Sequence, residues 1–184
     1  MLVAGGHRAG EPHRAAFDIP SQQFGWDFLP LRPGDLAVFT RQLSQPPRSA
    51  DLACFGRAVL SPAAGVVTAV LDGIADAELL GEQHPPTGAG PGWALGNHVI
   101  IRHDDQVHSC LAHLKAGSVT VKEGQQVDAG EVVGTVGSSG NASGPHLHLH
   151  FMGGPDVITA TPLPIELTAE GETIAPVTGQ ILGP

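Results

Sequence analysis

The sequence predicts a mainly β protein: a compact antiparallel sheet or barrel-like sandwich of short strands, with long loops forming a groove. Three observations carry this expectation. Apolar and polar residues alternate over short runs, the pattern of half-buried strands. Glycines (25) and prolines (16) punctuate those runs closely, which favours tight turns between short elements. No stretch of three helical turns carries an apolar stripe. At 184 residues, 41% of them hydrophobic, the chain has the size of one domain with a buried core. We expect a single domain over 1–184, with an N-terminal segment (1–54), a β core (55–155) and C-terminal edge strands (156–184).

Residues 1–34 are polar and turn-rich. Within them, Gln22 to Leu29 alternates as a strand with Phe24, Trp26 and Phe28 on one face, so that Asp27 points away from it. Residues 35–54 read as an irregular excursion, because Ser44-Gln45-Pro46-Pro47 continues neither regular structure. Residues 58–62 and 65–70 read as short strands around a Pro62-Ala63-Ala64-Gly65 turn. A long loop follows at 72–96, a length that is usually functional in a compact domain. Residues 97–103 and 107–114 read as strands joined by Asp104-Asp105-Gln106. Alternation with corner glycines over 117–137 gives a small twisted β-structure. The prolines of 156–184 leave room for one or two edge strands.

The formal net charge of −9 at pH 7 provides no basic footprint for nucleic acid, and no nucleic-acid partner is expected. An anionic partner would have to be recognised locally. Cys54 and Cys110 match no zinc spacing; a single disulfide and two packed free thiols both fit. The first six residues are too short for a signal-peptide apolar region, and no run has the ~18 apolar residues of a membrane helix. The expectation is a domain of a longer exported protein, or one not exported by the ordinary route. Oligomeric state is not legible.

The most informative stretch is Ser143-Gly144-Pro145-His146-Leu147-His148-Leu149-His150-Phe151. On a strand, His146, His148 and His150 share one face and Leu147, Leu149 and Phe151 the other. A His-rich surface strand would be a bland account of it, but neutral imidazole is the commonest side-chain ligand of transition metals. The turn before it, residues 137–145, can bring backbone close to a bound ligand. A catalytic zinc takes three protein ligands and a water, so the others must come from elsewhere. Candidates are His13 with Asp27 or Asp18, and His113. His7, His84, His103 and His108 read as solvated or hydrogen-bonded, and His98 as a half-buried, satisfied ring.

Four ordered motifs then resemble the lysostaphin/LytM-type zinc endopeptidases: Gly96-Asn97-His98-Val99, Leu111-Ala112-His113-Leu114, Val121-Lys122-Glu123-Gly124 through Gly130, and Gly137-Ser138-Ser139-Gly140 through His148. The resemblance covers about residues 55–155 and reaches back weakly through Gln23-Phe24-Gly25-Trp26-Asp27-Phe28. It implies the duplicated hybrid motif fold, one zinc per chain, and metal ligands His148, an early histidine and an early aspartate; His13 with Asp27 is preferred, His7 being the reserve for the histidine and Asp18 for the aspartate. It implies His113 and His146 as catalytic residues. It implies cleavage of the peptide part of bacterial peptidoglycan, in the periplasm or outside the cell. Two departures stand out. The position two before His113, often Tyr in the family, is Leu111 in a chain without tyrosine, so oxyanion help falls to imidazole or metal. His150 stands where the family usually has Glu or Gln and reads as a neighbour of the site.

By this resemblance His113 and His146 would orient or deprotonate water and stabilise the oxyanion, in either division of labour. Two other readings compete: a non-catalytic regulator or wall-binding module on the same fold, and a biotinyl or lipoyl carrier, which would need a lysine at a hairpin tip where Lys122 reads as strand.

Overall fold

A computed structural model describes residues 2–4, 19–30, 46–83, 85–169 and 172–174. Strands β1 (Leu2–Ala4), β2 (Trp26–Leu29), β3 (Ala58–Leu60), β4 (Gly65–Leu71), β5 (Asn97–Arg102), β6 (His108–Leu114), β7 (Gln126–Val127), β8 (Val132–Thr135), β9 (Leu147–Met152), β10 (Pro162–Leu163), β11 (Leu167–Ala169) and β12 (Glu172–Ile174) carry the architecture. Its helical elements, among the described residues, are short 3-10 turns, such as Pro20–Phe24 and Pro91–Leu95. The protein is mainly β, as expected. None of its described helices is long and apolar enough to cross a membrane.

The main sheet runs β1-β2-β9-β6-β5-β4-β7, with β10 also on β9, and every pairing is antiparallel. Its end strands β1 and β7 do not pair with each other, so it is an open sheet and not a barrel. A separate ribbon of β3 with β8 packs on one face. Val59 and Val133 from the ribbon join Val99, Ile101, Leu111, Leu149 and Phe151 from the sheet in the main core. This is the sandwich side of the expectation. It follows from strands whose buried face must be covered by another layer. The opposite face carries a smaller apolar cluster of Ile19, Leu95, Ile100, Cys110, Ala112 and Met152.

Several expectations need correction. Residues 20–24 form a 3-10 turn, so the strand predicted from Gln22 begins only at Trp26. Pro20 at the first turn position presets that conformation. β3 and β4 do not form a hairpin: β3 joins β8 and β4 joins β5 and β7. Ser61 turns the corner between the layers, donating its hydroxyl to Ala63 O and its N–H to Glu131 O. Lys122 lies at an exposed turn closed by Gln125 N–H on Lys122 O, not within a strand. Cys54 and Cys110 are both buried thiols that form no disulfide with each other. Burial pushes the Cys110 thiol up to about 12, which leaves it an inert packing group.

Candidate active site

The chemistry gathers on the sheet face opposite the main core, where β2, β9 and β6 lie side by side. Register does the positioning: Asp27 is directly opposite His148, and His148 is directly opposite Ala112. Residues opposite one another in an antiparallel pair share a face. Asp27 Oδ1 lies 2.9 Å from His148 Nδ1 and 3.4 Å from His146 Nε2. Segments far apart in the sequence thus meet over one carboxylate oxygen. His148 is fully buried and the Asp27 side chain keeps 20% exposure, so the site opens at the Asp27 side.

His113 reaches this face by a backbone irregularity that alternation does not foresee. Ala112 shares the face of His148, so a regular β6 would send His113 to the core side with Leu111. Between the pairs Asn97–Leu114 and Val99–Leu111 the register shifts, two residues of β6 standing against one of β5. His113 sits in this bulge with φ at 58°, the one non-glycine residue with positive φ among those described. The left-handed conformation turns its ring toward the site. Its centroid is 4.6 Å from that of His146 and 5.9 Å from that of His148. Such a conformation costs a non-glycine residue about 1–2 kcal/mol. An expected consequence is that His113→Gly unfolds about 1 kcal/mol less readily than His113→Ala, the reverse of the usual order in a strand. Urea denaturation of the two variants checks this.

The ring of His113 is then fixed by the Gly137–Gly140 turn. His113 Nδ1–H donates to Ser139 O at 2.9 Å. Ser139 in turn accepts the Asn97 N–H at its hydroxyl and donates that hydroxyl to Leu114 O. Gly96 lets these segments touch: a Cβ there would lie 2.5 Å from Ser139 backbone atoms. His146 Nδ1–H donates to Gly144 O at 2.8 Å, leaving Nε2 on the Asp27 side. The two environments push the imidazoles apart. For His113, burial and then the charges of His146 and His148 hold the pKa well below the ordinary value, against weaker help from Asp27 and Ser139. For His146, burial works in the same direction, but the charge and hydrogen bond of Asp27 with the Gly144 carbonyl outweigh it and raise the pKa. In the cation-free protein His146 takes a proton first and His113 stays neutral.

Two residues that sequence reasoning did not single out hold His148. Gly25 approaches so closely that a Cβ would lie 2.7 Å from His148 Cε1. Its backbone is ordinary extended chain at φ −71°, so alanine would fit the backbone and fail only against the ring. Gly25→Ala is expected to lose about 1–3 kcal/mol of stability together with metal retention. Thermal melting of chelated protein and metal stoichiometry read the two effects. Ser21 lies 3.4 Å from His150 Nε2, and His150 Nδ1 lies 2.9 Å from His148 Nε2. His150 is therefore a neighbour of the site, as read from the sequence, and it touches His148 directly.

Among the described residues no group of three His, Cys, Asp or Glu side chains could hold a metal ion by itself. Two of the three expected donors, a carboxylate oxygen and an imidazole nitrogen, do meet, and that donor chemistry suits zinc. The third, His13, lies outside the described residues, as do His7, Asp18 and His84. The histidines read as structural behave mostly so. His98 donates Nδ1–H to Gly96 O, and His103 bridges Ala64 O and Ser109 Oγ. His108 departs from its solvated reading, being buried with Nδ1 lacking a hydrogen-bond partner.

The 72–96 loop is tied down at its base, Asp72 accepting from Gly117 and Val119 and Asp76 from Ala116 and Ser138. It borders a cavity of about 380 Å³ lined by Ile74, Asp76, Glu82, Trp93 and Gly140, next to the turn that holds His113. A second cavity, of about 710 Å³, lies against Phe28, His103, Leu147, Leu149 and Phe151, across the sheet from His148 and His150.

Residues 46–159 match the family model described as Peptidase family M23. Over 53 residues the chain is 53% identical to the DD-carboxypeptidase/endopeptidase Mpg of Neisseria meningitidis, which is 29% of this chain and 12% of that protein. Over 57 residues it is 40% identical to the peptidoglycan DD-endopeptidase ShyC of Vibrio cholerae, 31% of this chain and 13% of that protein. The chain thus aligns with about an eighth of the length of these relatives. Among solved structures, the catalytic domain of a point mutant of the prophage-encoded M23 protein EnpA from Enterococcus faecalis covers 61% of this chain and 70% of its own, at 26% identity and a TM-score of 0.45.

Proposed function

Since the chain belongs to peptidase family M23, we propose that it is a zinc-dependent endopeptidase acting on the peptide part of bacterial peptidoglycan. The observation that supports this most is the meeting of Asp27 Oδ1 and His148 Nδ1 at 2.9 Å with His146 and His113 alongside. The ligands would be His13, Asp27 and His148. A zinc ion held there would polarise the scissile carbonyl and lower the pKa of bound water.

The protein groups divide the proton transfers. His113 has Nδ1 committed to Ser139 O, so its Nε2 carries the lone pair, and burial keeps the ring neutral. It accepts a proton from the attacking water. His146 holds a proton more readily, and its Nε2–H donates to the developing oxyanion or to the leaving amine. The core position of Leu111 leaves no phenol for that task. The loop at 72–96 forms a groove wall that orients the peptide. The activity would be exerted in the periplasm or outside the cell, where such a substrate is found.

Mass spectrometry of muropeptides incubated with zinc-loaded and with chelated protein tests the reading. Cleavage confined to the zinc-loaded sample is expected. Intact muropeptides, with zinc absent from repleted protein, would point instead to a non-catalytic module on this fold.

A further inference from the structure

Two pieces of backbone that the proposed mechanism needs, the bulge at His113 and the wall at 72–96, are held by one buried amide. Asn97 is fully buried and stands opposite Leu114 where the register of β5 and β6 shifts. Its Oδ1 accepts the Ile74 N–H at 2.8 Å, and its Nδ2 donates to Ile74 O at 2.8 Å and to Leu114 O at 3.0 Å. The amide thus uses its oxygen and both N–H groups, and a flipped amide would set its oxygen against two carbonyls. Leu114 O takes a second donor from the Ser139 hydroxyl at 2.7 Å, and that oxygen in turn accepts the Asn97 N–H at 2.9 Å. Both lone pairs of the Leu114 carbonyl are then occupied, one residue after the positive φ of 58°. The His113 carbonyl is fixed as well, accepting the Gly137 N–H at 2.9 Å. At the other end of the amide, Ile74 lies at the start of the wall and lines the 380 Å³ cavity. Aspartate would lose both donors, glutamine adds a methylene to an enclosed site, and alanine supplies no partner.

We infer that Asn97 is a positioning residue: it pins Leu114 O, so that His113 keeps its left-handed turn and faces the site, and it ties Ile74 of the groove wall to the same point. A non-glycine residue holds such a conformation only where its surroundings over-determine it, and in a regular β6 His113 would lie on the core side. The inference deepens the endopeptidase reading and rests on it for the role of His113, but the backbone at His113 is measurable in chelated protein.

The one-bond Cα–Hα coupling of His113, measured by NMR on labelled, chelated protein, separates positive from negative φ. The wild type is expected at positive φ, and Asn97→Asp at negative or mixed values. On muropeptides, zinc-loaded Asn97→Asp should lose kcat roughly 10²-fold, the cost of misplacing a catalytic group by about 1 Å, and show a raised KM. Ser139→Ala removes one donor from Leu114 O and leaves Ile74 clamped, so it should displace His113 and lower kcat with KM unchanged. A residue that only supports the fold would lower stability and leave both the coupling and kcat alone. Negative φ in the wild type, or an unchanged coupling or kcat in folded Asn97→Asp, overturns the inference. Should Asn97→Asp fail to fold, an unchanged coupling or kcat in Ser139→Ala overturns it. A wild type that holds positive φ, loses it in the variants and cleaves nothing leaves Asn97 in its place at the bulge and defeats the endopeptidase reading instead.

Discussion

His148→Ala is expected to purify without zinc, its affinity falling by more than ~100-fold, since changes one shell further out already cost 10- to 100-fold. The reason is geometric as well as chemical. His148 is the central residue of the constellation, opposite Asp27 on one side and Ala112 on the other, and its ring is wedged between Gly25 and His150. Among the described residues the neighbouring rings of His146 and His113 are each committed at Nδ1 to a backbone carbonyl, so neither offers that nitrogen in its place. Metal analysis of protein purified without chelator reads the result directly. One zinc per chain in the variant would remove His148 from the ligand set. The fold should survive, although emptying a fully buried site will lower stability by about 2–4 kcal/mol.

His146→Ala is expected to behave differently, keeping its zinc and losing turnover by about 10²- to 10⁴-fold, the range of a lost general acid or base. His146 lies farther from Asp27 than His148 does, 3.4 Å against 2.9 Å. Its Nδ1–H bond to Gly144 O leaves Nε2 on the carboxylate side. Muropeptide cleavage rates and metal content, measured on the same preparation, separate the two roles. Wild-type turnover in this variant would end its assignment as a catalytic group, and loss of zinc would make it a ligand. The dependence of His146 on the charge of Asp27 also sets a sign. Because its pKa is raised in the fold, its contribution to stability is present below the ordinary imidazole pKa and fades as pH rises through the raised value. His113 acts oppositely: its depressed pKa makes protonation costly, so stability falls as pH drops below the ordinary value. The chelated protein should therefore gain less from acidification than His146 alone would give.

Much of this was legible in the chain. The period-two spacing of His146, His148 and His150 beside Leu147, Leu149 and Phe151 specifies one polar and one apolar face, and the sheet realises both. Alternation around Trp26 put Asp27 on the face away from the core, and short strands with frequent glycines specified an antiparallel β fold. These are local properties, written in side-chain period and turn chemistry. Other features could not be read that way. Phe24 looked like strand because alternation cannot distinguish a strand from a short 3-10 turn started by Pro20. β3 and β4 looked like a hairpin because adjacency in sequence does not say which layer a strand joins.

The sequence by itself determined the β class, the two faces of the histidine strand and the imidazole and carboxylate residue types of the candidate site. Only the tertiary structure decided that Asp27 lies opposite His148, and that His113 crosses to their face through a bulge with a left-handed backbone. Register between strands distant in the chain is set by packing on both faces of the sheet. A positive φ at a histidine is held only by the surroundings that over-determine it.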